Sequence, residues 1–506
     1  MSIFDIFRRP APSDQPPFSN PSRGASVRRS YPAGEWSDLT ADWSVAPQSA
    51  FNMVHQNLNT LRARARAEAK KNDYAKRFVG MLKNGVVGPD GFNLQCQFVD
   101  QGGLDTTANQ AFEDHWRLWA EDARNCDVQR RSDFTTLTRQ LVGQLATDGE
   151  FIVRKILGGP MGLQLQIIDP YLLDTNYNDE LPNGRKVRFG IEITDAGAAV
   201  AYHFSQPDDH YAYTTGQRVR VPASEVFHVY LVESVNQYRG LPWLSTPMYR
   251  MHMLDGYEEA AIINARVGAS KMGIHKSRSP DKYSGEQTAA GGPIEEITPG
   301  GIHYMGEHDE WIVHNPAYPQ GEFKDFVRQA LRGVASGLEV SYPTLANDLE
   351  GVNYTSLRHD ALTERDIYMG LQSWLIGSFL RPLYNDWLEI RLQSPGGIPI
   401  PRRNGGSRSA AVARIDKYRK IRWQGRRWQW VDPAKEMAAN REALEMGVTT
   451  RAQIIRDQGR DPEEVFKEVE LEHERFGPIE PPAPAVAGKP ADNEASSDQP
   501  EGDQSE

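Results

Sequence analysis

Two cysteines, Cys96 and Cys126, are all that this 506-residue chain carries, so no disulfide framework staples it, and reduced thiols are the expected state. No run of about eighteen apolar residues occurs, which excludes a membrane-spanning helix of the usual kind. Near the N-terminus, Ile3, Phe4, Ile6 and Phe7 are broken by Asp5, which is no signal-peptide core. A Gly-x4-Gly-Lys-Ser/Thr phosphate loop is missing, and with it the usual nucleotide-driven motor. A nucleophile elbow and a His-Glu-x-x-His zinc pair are missing too. We expect no catalytic residue, no metal and no cofactor.

Positive charge is also in short supply. The net charge is −11, and it is unevenly placed. Residues 461–506 hold 14 acids against Lys467, Arg475 and Lys489, a local excess of −11, so the first 460 residues are neutral. A protein that grips DNA through many phosphates usually carries a basic excess. This chain either avoids nucleic acid or touches it weakly by design.

What is present reads as an α+β chain. Residues 1–50 are rich in Pro, Ser and Arg and read as a flexible arm. A helical pattern runs from Phe51 to Val79, with Arg62, Arg64, Arg66, Lys70 and Lys71 set against Glu68 and Asp73. A solvated face is the plain reading of those bases, and an acidic partner or nucleic acid the other. FNLQCQFV alternates like a strand, Phe112, Trp116 and Trp119 share a helix face, and Ser132 can cap a helix over Asp133–Asp148 that Gly149 stops. Short alternating runs from GEFIVRKIL to VFHVYLV then predict a small, mostly antiparallel sheet. Ser245–Met272 is a long helix of small and apolar residues, roughly 42 Å at about 1.5 Å per residue. Ser277–Gly301 is polar, GIHYMGEHDEWIVHNP predicts two short strands around a turn, and Phe323–Leu338 is helical again. A very long helix, Tyr354–Leu392, has to kink at Pro382. Three capped helices follow Asp432, Thr449 or Thr450, and Asp461, and residues 478–506 form a disordered acidic tail on composition.

The most informative stretch is Ser341–Arg358, SYPTLANDLEGVNYTSLR. It reads as a polar loop between two long helices, which has to project from the body of the protein. Tyr342, Asn347, Asp348, Asn353 and Tyr354 are its candidate contact residues. Two other clusters invite a chemical reading. His303, Glu307, His308, Asp309 and His314 lie close together, but their spacing suits a hairpin with polar faces better than a metal site. Asp360, Glu364 and Asp366 fit helix-surface and intersubunit pairing better than metal-dependent cleavage. From Arg402 to Trp430, ten bases face Asp416 alone, with Trp423, Trp428 and Trp430 between them. Arg402, Arg403, Arg422, Arg426 and Arg427 mark this segment as either a nucleic-acid contact or a bridge between domains whose tryptophans are core.

Several motifs recur in order along residues 60–475: the Arg-rich helix with NGVVGPDG, Trp-x2-Trp, Cys-Asp and Asp-Gly-Glu from FEDHWRLW to DGEFIVR, IIDPYLLD, GIEITDAGAAVAYHF, YRGLPW, NYTSLRHDALTER, WVDPAKE and GVTTRAQIIRDQGRDPEEVF. Each is weak alone. Together they resemble the lambda-type portal proteins of tailed phages. That resemblance implies a non-enzymatic ring, generally of about twelve subunits, with closed cyclic symmetry. It implies double-stranded DNA passing through at one capsid vertex, for genome packaging, head-tail joining and ejection. It implies a packaging motor (terminase), head-completion or adaptor proteins, and capsid and scaffold proteins as partners, no membrane, assembly in the host cytoplasm and residence in the virion. The portal fold it implies has an α+β wing (51–244, with the long helix 354–393), stem helices (245–272 and 321–340), a clip (273–320), a channel loop (341–353), a basic connection (394–422) and a helical crown (423–477). The alternatives are a metal-dependent nucleic-acid-cleaving enzyme and a capsid scaffold or adaptor without a channel.

Overall fold

The computed structural model describes residues 49–100, 103–182, 184–207, 214–269, 273–276, 310–313, 322–394, 397–398, 415–428 and 433–477. The arm, the acidic tail, the His303–His314 group, Arg402 and Arg403 lie outside the described residues.

The expected helix over 51–79 is two helices, α1 (Ala50–Lys71) and α2 (Asp73–Leu82). Asn72 makes the break: its side-chain oxygen accepts the N–H groups of Tyr74 and Ala75, each at 3.1 Å, and so caps α2. Phe78 is buried, whereas Tyr74 and Val79 are only partly so. A π turn, Lys83–Val87, leads into strand β1 (Asn93–Cys96) and a small ladder of β2 (Val99–Asp100) with β3 (Gly103–Leu104). Helix α3 (Thr106–Glu121) buries Phe112, Trp116 and Trp119. A short α4 (Ala123–Cys126) precedes α5 (Phe134–Asp148). The cap of α5 is Asp133 rather than Ser132: its carboxylate accepts the Thr136 N–H at 2.9 Å. Gly149, at φ 78°, ends α5 as read from the sequence.

The antiparallel strands divide into two sheets. In one, β4 (Glu150–Leu157) lies between β5 (Leu163–Ile168) and β11 (Val226–Tyr230). The other runs β10–β9–β8–β7–β6, with β6 at Asp179–Glu180, β7 at Lys186–Arg188, β8 at Ile191–Ile193, β9 at Ala199–Pro207 and β10 at Thr214–Pro222. Helix α6 (Ser245–Ala269) leads to β12 (Gly273–Lys276), which pairs with β13 (Glu310–Val313). Among the described residues the partner of Glu310–Val313 is a strand well upstream, Gly273 facing Val313; the first half of the expected local hairpin lies outside the described residues. Helix α7 (Glu322–Gly337) packs back on α6, Phe326 meeting Tyr257 with ring centres 4.9 Å apart.

Residues 341–353 are not wholly loop. Pro343 opens a one-turn helix, α8 (Tyr342–Ala346), because its fixed φ suits a first turn. Helix α9 (Tyr354–Leu375) follows, capped by Asn353, and continues through a π turn (Ile376–Leu380) into α10 (Arg381–Gln393). The irregular turn sits just ahead of Pro382, where a missing N–H interrupts the α ladder.

The supposed basic connection enters the core. After a short α11 (Ile415–Tyr418), β14 (Ile421–Gln424) pairs antiparallel with β1, Leu94 opposite Trp423. Trp423 is buried, 5.3 Å from the Trp116 ring centre, and Tyr418 stacks on Phe112 at 4.7 Å. Trp116 also meets Trp387 of α10 at 5.2 Å. Chain segments some three hundred residues apart therefore close one aromatic core. Helices α12 (Pro433–Glu445), α13 (Arg451–Asp457) and α14 (Pro462–Phe476) complete the described chain. Thr450 and Asp461 cap the last two, accepting the N–H groups of Gln453 and Glu463. Among the described residues, no helix is long and apolar enough to cross a membrane.

Candidate functional site

The segment between α7 and α9 splits into a seated half and an exposed half. Leu345 is buried and Tyr342 packs against the core, so α8 cannot project. Arg77 of α2 donates to the Thr344 carbonyl at 3.3 Å. On the other side, Ser341 Oγ donates to Asp360 at 3.2 Å and Thr344 Oγ1 to Glu364 at 3.1 Å. Tyr368 Oη also donates to Glu364, at 2.6 Å. Two of the three carboxylates on α9 are thus partners of hydroxyl groups. Asp366 is exposed.

Asn347 reverses the chain in the left-handed region, at φ 53°, a conformation that asparagine tolerates better than most residues. The reversal brings Asp348 back over α7. Its Oδ2 accepts Tyr342 Oη at 2.7 Å and Arg328 Nη2 at 3.1 Å, and its Oδ1 accepts the Glu350 N–H at 3.0 Å. The Tyr342 hydroxyl first, then the Glu350 amide and Arg328, hold the Asp348 carboxyl down at about 2. Glu350 pairs with Lys324 and lies 3.2 Å from Arg328 Nη2, and the Lys324 partner lowers its carboxyl. Leu349, Glu350, Gly351, Asn353 and Tyr354 remain exposed. Of the five sequence candidates, Tyr342 and Asp348 belong to this clasp, Asn347 and Asn353 shape the backbone, and Tyr354 points outward. Lys324 and Arg328 were missed, although their spacing of four residues put them on one helix face.

Where the basic segment is described, its arginines are placed differently. Arg422 is exposed on β14, whereas Arg426 donates to the Asn84 carbonyl and stands 5.7 Å from the Trp428 ring centre. Arg427 is half-buried beside Gly459.

A second site is wholly interior. Glu150 and Arg239 are both fully buried and joined at 2.6 Å, and Arg62 of α1 reaches the same Glu150 oxygen at 2.8 Å. His228 Nε2 stands 3.1 Å from the other oxygen, which also accepts the Gly240 N–H at 2.8 Å. Burial alone would raise the Glu150 carboxyl, but Arg239, Arg62 and His228 hold it well below its usual range. Arg239 further donates to the carbonyls of Pro170 and Leu173, at 3.0 and 3.1 Å. Next to this cluster, Arg66 bonds Asp148 at 2.6 Å and Asp169 at 3.1 Å. Of these helix bases Arg62 is therefore an interior strut, whereas Arg66, one-third exposed, links the buried Asp148 to Asp169 at the surface. The Arg-rich helix, Asp-Gly-Glu, Ile-Asp-Pro and Arg-Gly, scattered in sequence, meet here.

These motifs are the ones that carried the resemblance, and the comparisons agree with it. The family model described as "Phage portal protein, lambda family" matches residues 37–372, more than half of the chain. The chain belongs to the lambda family of phage portal proteins. This portal chain is 30% identical over 485 residues to the "Probable portal protein" of Halomonas phage phiHAP-1, covering 93% of this chain and 91% of that one. It is 22% identical to "Portal protein B" of Escherichia phage lambda, covering 88% and 89%. Among solved structures it is similar to a chain of the "Neck of empty GTA particle computed with C6 symmetry", at a TM-score of 0.43 and 14% identity, covering 84% of this chain and 98% of that one.

Proposed function

We propose that this portal chain is one subunit of a closed ring that conducts double-stranded DNA at a single capsid vertex, serving packaging, head-tail joining and ejection. Family membership supports the portal role. The observation that carries the ring is on α6. Its inward side buries Met248, Met251 and Leu254, yet Tyr249, Met253, Ile262 and Ile263 are exposed in the lone chain, Tyr249 at 75%, with Phe326 of α7 exposed beside Tyr257. An apolar surface shared by two long helices asks for a neighbour. A neighbour related by rotation covers it repeatedly and closes without leaving an open end.

In this reading, 51–244 and 354–393 form the wing, 245–272 and 321–340 the stem, 273–320 the clip and 423–477 the crown. The β1–β14 pair favours counting residues 415–428 with the wing core. Asn347, Asp348, Asn353 and Tyr354, with Tyr342 behind them, face the DNA. The clip would dock the packaging motor and then the head-completion proteins. A neutral body suits a conduit, because uniform strong phosphate binding would stop the duplex from sliding.

The cleavage alternative is disfavoured: the carboxylates of Asp360 and Glu364 accept hydrogen bonds from Ser341, Thr344 and Tyr368. Electron microscopy of the purified full-length protein tests the proposal. Rings with a central hole are expected. A globular monomer or small oligomer without a hole would support the scaffold or adaptor alternative, and metal-dependent nicking lost in Asp360→Ala would support the enzyme.

A further inference from the structure

Lys324, Arg328 and Arg332 recur at every fourth position of α7, so they lie along one face, about 12 Å from first to last at about 1.5 Å per residue. Asp325, the acid nearest in sequence, lies about 100° round the helix from Lys324 and about 60° from Arg328. The chain that follows α7 folds back over the same row. Arg332 stands 5.6 Å from the Tyr342 ring centre. Arg328 Nη2 bonds Asp348 at 3.1 Å and Glu350 at 3.2 Å, and Lys324 pairs with Glu350. Each cation is covered by at least one group of residues 342–350, Arg328 by two, and two of the three covering groups are carboxylates.

An arginine fork takes a phosphate or a carboxylate with the same geometry. The Lys324–Glu350 half of this contact is open to water, at 60% and 62% exposed, and ion pairs so exposed are individually weak, whereas Arg328 and Asp348 are only about one-quarter exposed. Duplex DNA offers a charge about every 1.7 Å of its axis, a denser anion than two side chains. Asn347 and Gly351, both at positive φ, bracket Asp348 to Glu350 and give that short acidic flap its turns.

We propose that the Lys324–Arg328–Arg332 face of α7 is a phosphate-contact surface for duplex DNA, and that Asp348 and Glu350 occupy it when no duplex is present. The inference rests on the channel reading above. It explains how a wall with basic residues avoids gripping its cargo: each phosphate has to displace an internal carboxylate, so contacts form and break at small net gain.

The test measures binding of a fluorescent duplex of about 25 base pairs to full-length protein across a salt series. The Asp348→Asn/Glu350→Gln variant is expected to bind roughly tenfold more tightly at low salt. Its plot of log affinity against log salt should steepen by about two, since each newly neutralised phosphate contributes about 0.9. Adding Lys324→Gln and Arg328→Gln should remove the gain. Unchanged affinity and slope would overturn the proposal, as would a gain for a poly-glutamate peptide but not for duplex. If the variants fold poorly, hydrogen exchange on the unmodified protein decides: the amides of residues 348–352 should exchange faster when duplex is added, and unchanged or slower exchange overturns the idea. Rings without the gain would sink this inference alone, whereas the gain in a particle without a hole would sink the ring and leave the α7 surface standing.

Discussion

Replacing Glu150 by glutamine should cost more stability than any surface change, because it removes the one anion shared by two buried guanidinium groups. In the native chain Glu150 is met by Arg239 at 2.6 Å, Arg62 at 2.8 Å and His228 at 3.1 Å, all within the interior. Glutamine keeps the shape but leaves two interior cations without compensation, and unpairing a buried ion costs about 3–5 kcal/mol. At about 2–4 °C per kcal/mol for domains of 150–250 residues, the melting midpoint should fall by on the order of 10 °C. Circular dichroism in the near ultraviolet, which follows the neighbouring aromatic core, reads the midpoint. Arg124→Ala is the internal control: Arg124 is 75% exposed and pairs with Asp122 at the surface, so its loss should leave the midpoint nearly unchanged. The cluster also sets the response to acid. Burial lowers the His228 pKa, and the two arginines lower that of Glu150, so both groups bind protons more readily when unfolded. Their contributions are present above the ordinary values of 6.5 and 4.5 and fade as pH falls below each in turn. A Glu150→Gln protein melting within a degree of the parent at neutral pH would refute this account of the cluster.

Three further outcomes are expected. Gly149→Ala and Gly240→Ala should each destabilise by about 2–4 kcal/mol in the same melting assay, since a new Cβ would lie 2.1 Å from the Leu241 carbonyl carbon or 2.0 Å from the Gly149 oxygen. Trp423→Ala should cost about 3–5 kcal/mol and weaken the near-ultraviolet signal; a silent change there would refute the placement of Trp423 in the aromatic core. Glu113 is partly buried beside the Cys96 amide and near Asp461 and Glu464, and its pKa is raised to about 7, chiefly by desolvation. Folding therefore favours its protonated form, a contribution present below pH 4.5 and lost as pH rises toward 7, so Glu113→Gln should raise the melting midpoint by a few degrees at pH 8 and little at pH 4.

Local chemistry was readable wherever local chemistry decides. Helices α6 and α7 lie within a few residues of their sequence-read limits, because spacings of three and four and the ends of apolar periodicity depend on neighbours in the chain. Gly149, Thr450 and Asp461 mark boundaries for the same reason. The break at Asn72 was also written locally, as a capping residue inside a helical pattern, but periodicity on both sides hid it. The segment 341–353 was read as loop because Pro343, Asn347 and Gly351 are turn residues. Leu345 was the sign that its first half would be seated.

The α+β class, the long helices and, through weak motifs in a specific order, the portal family are legible along the chain. These rest on short-range periodicity, caps and chain order, which need no coordinates. That Arg62 and Arg66 pair with the buried Glu150 and Asp148, that Trp423 is core and that Asp348 clasps Arg328 emerge only once the chain is folded. Each of those outcomes depends on a partner distant in the chain or on a chain reversal. A charge shows its partner in sequence only when both sit on one turn of helix; across a fold, desolvation and geometry choose the pair.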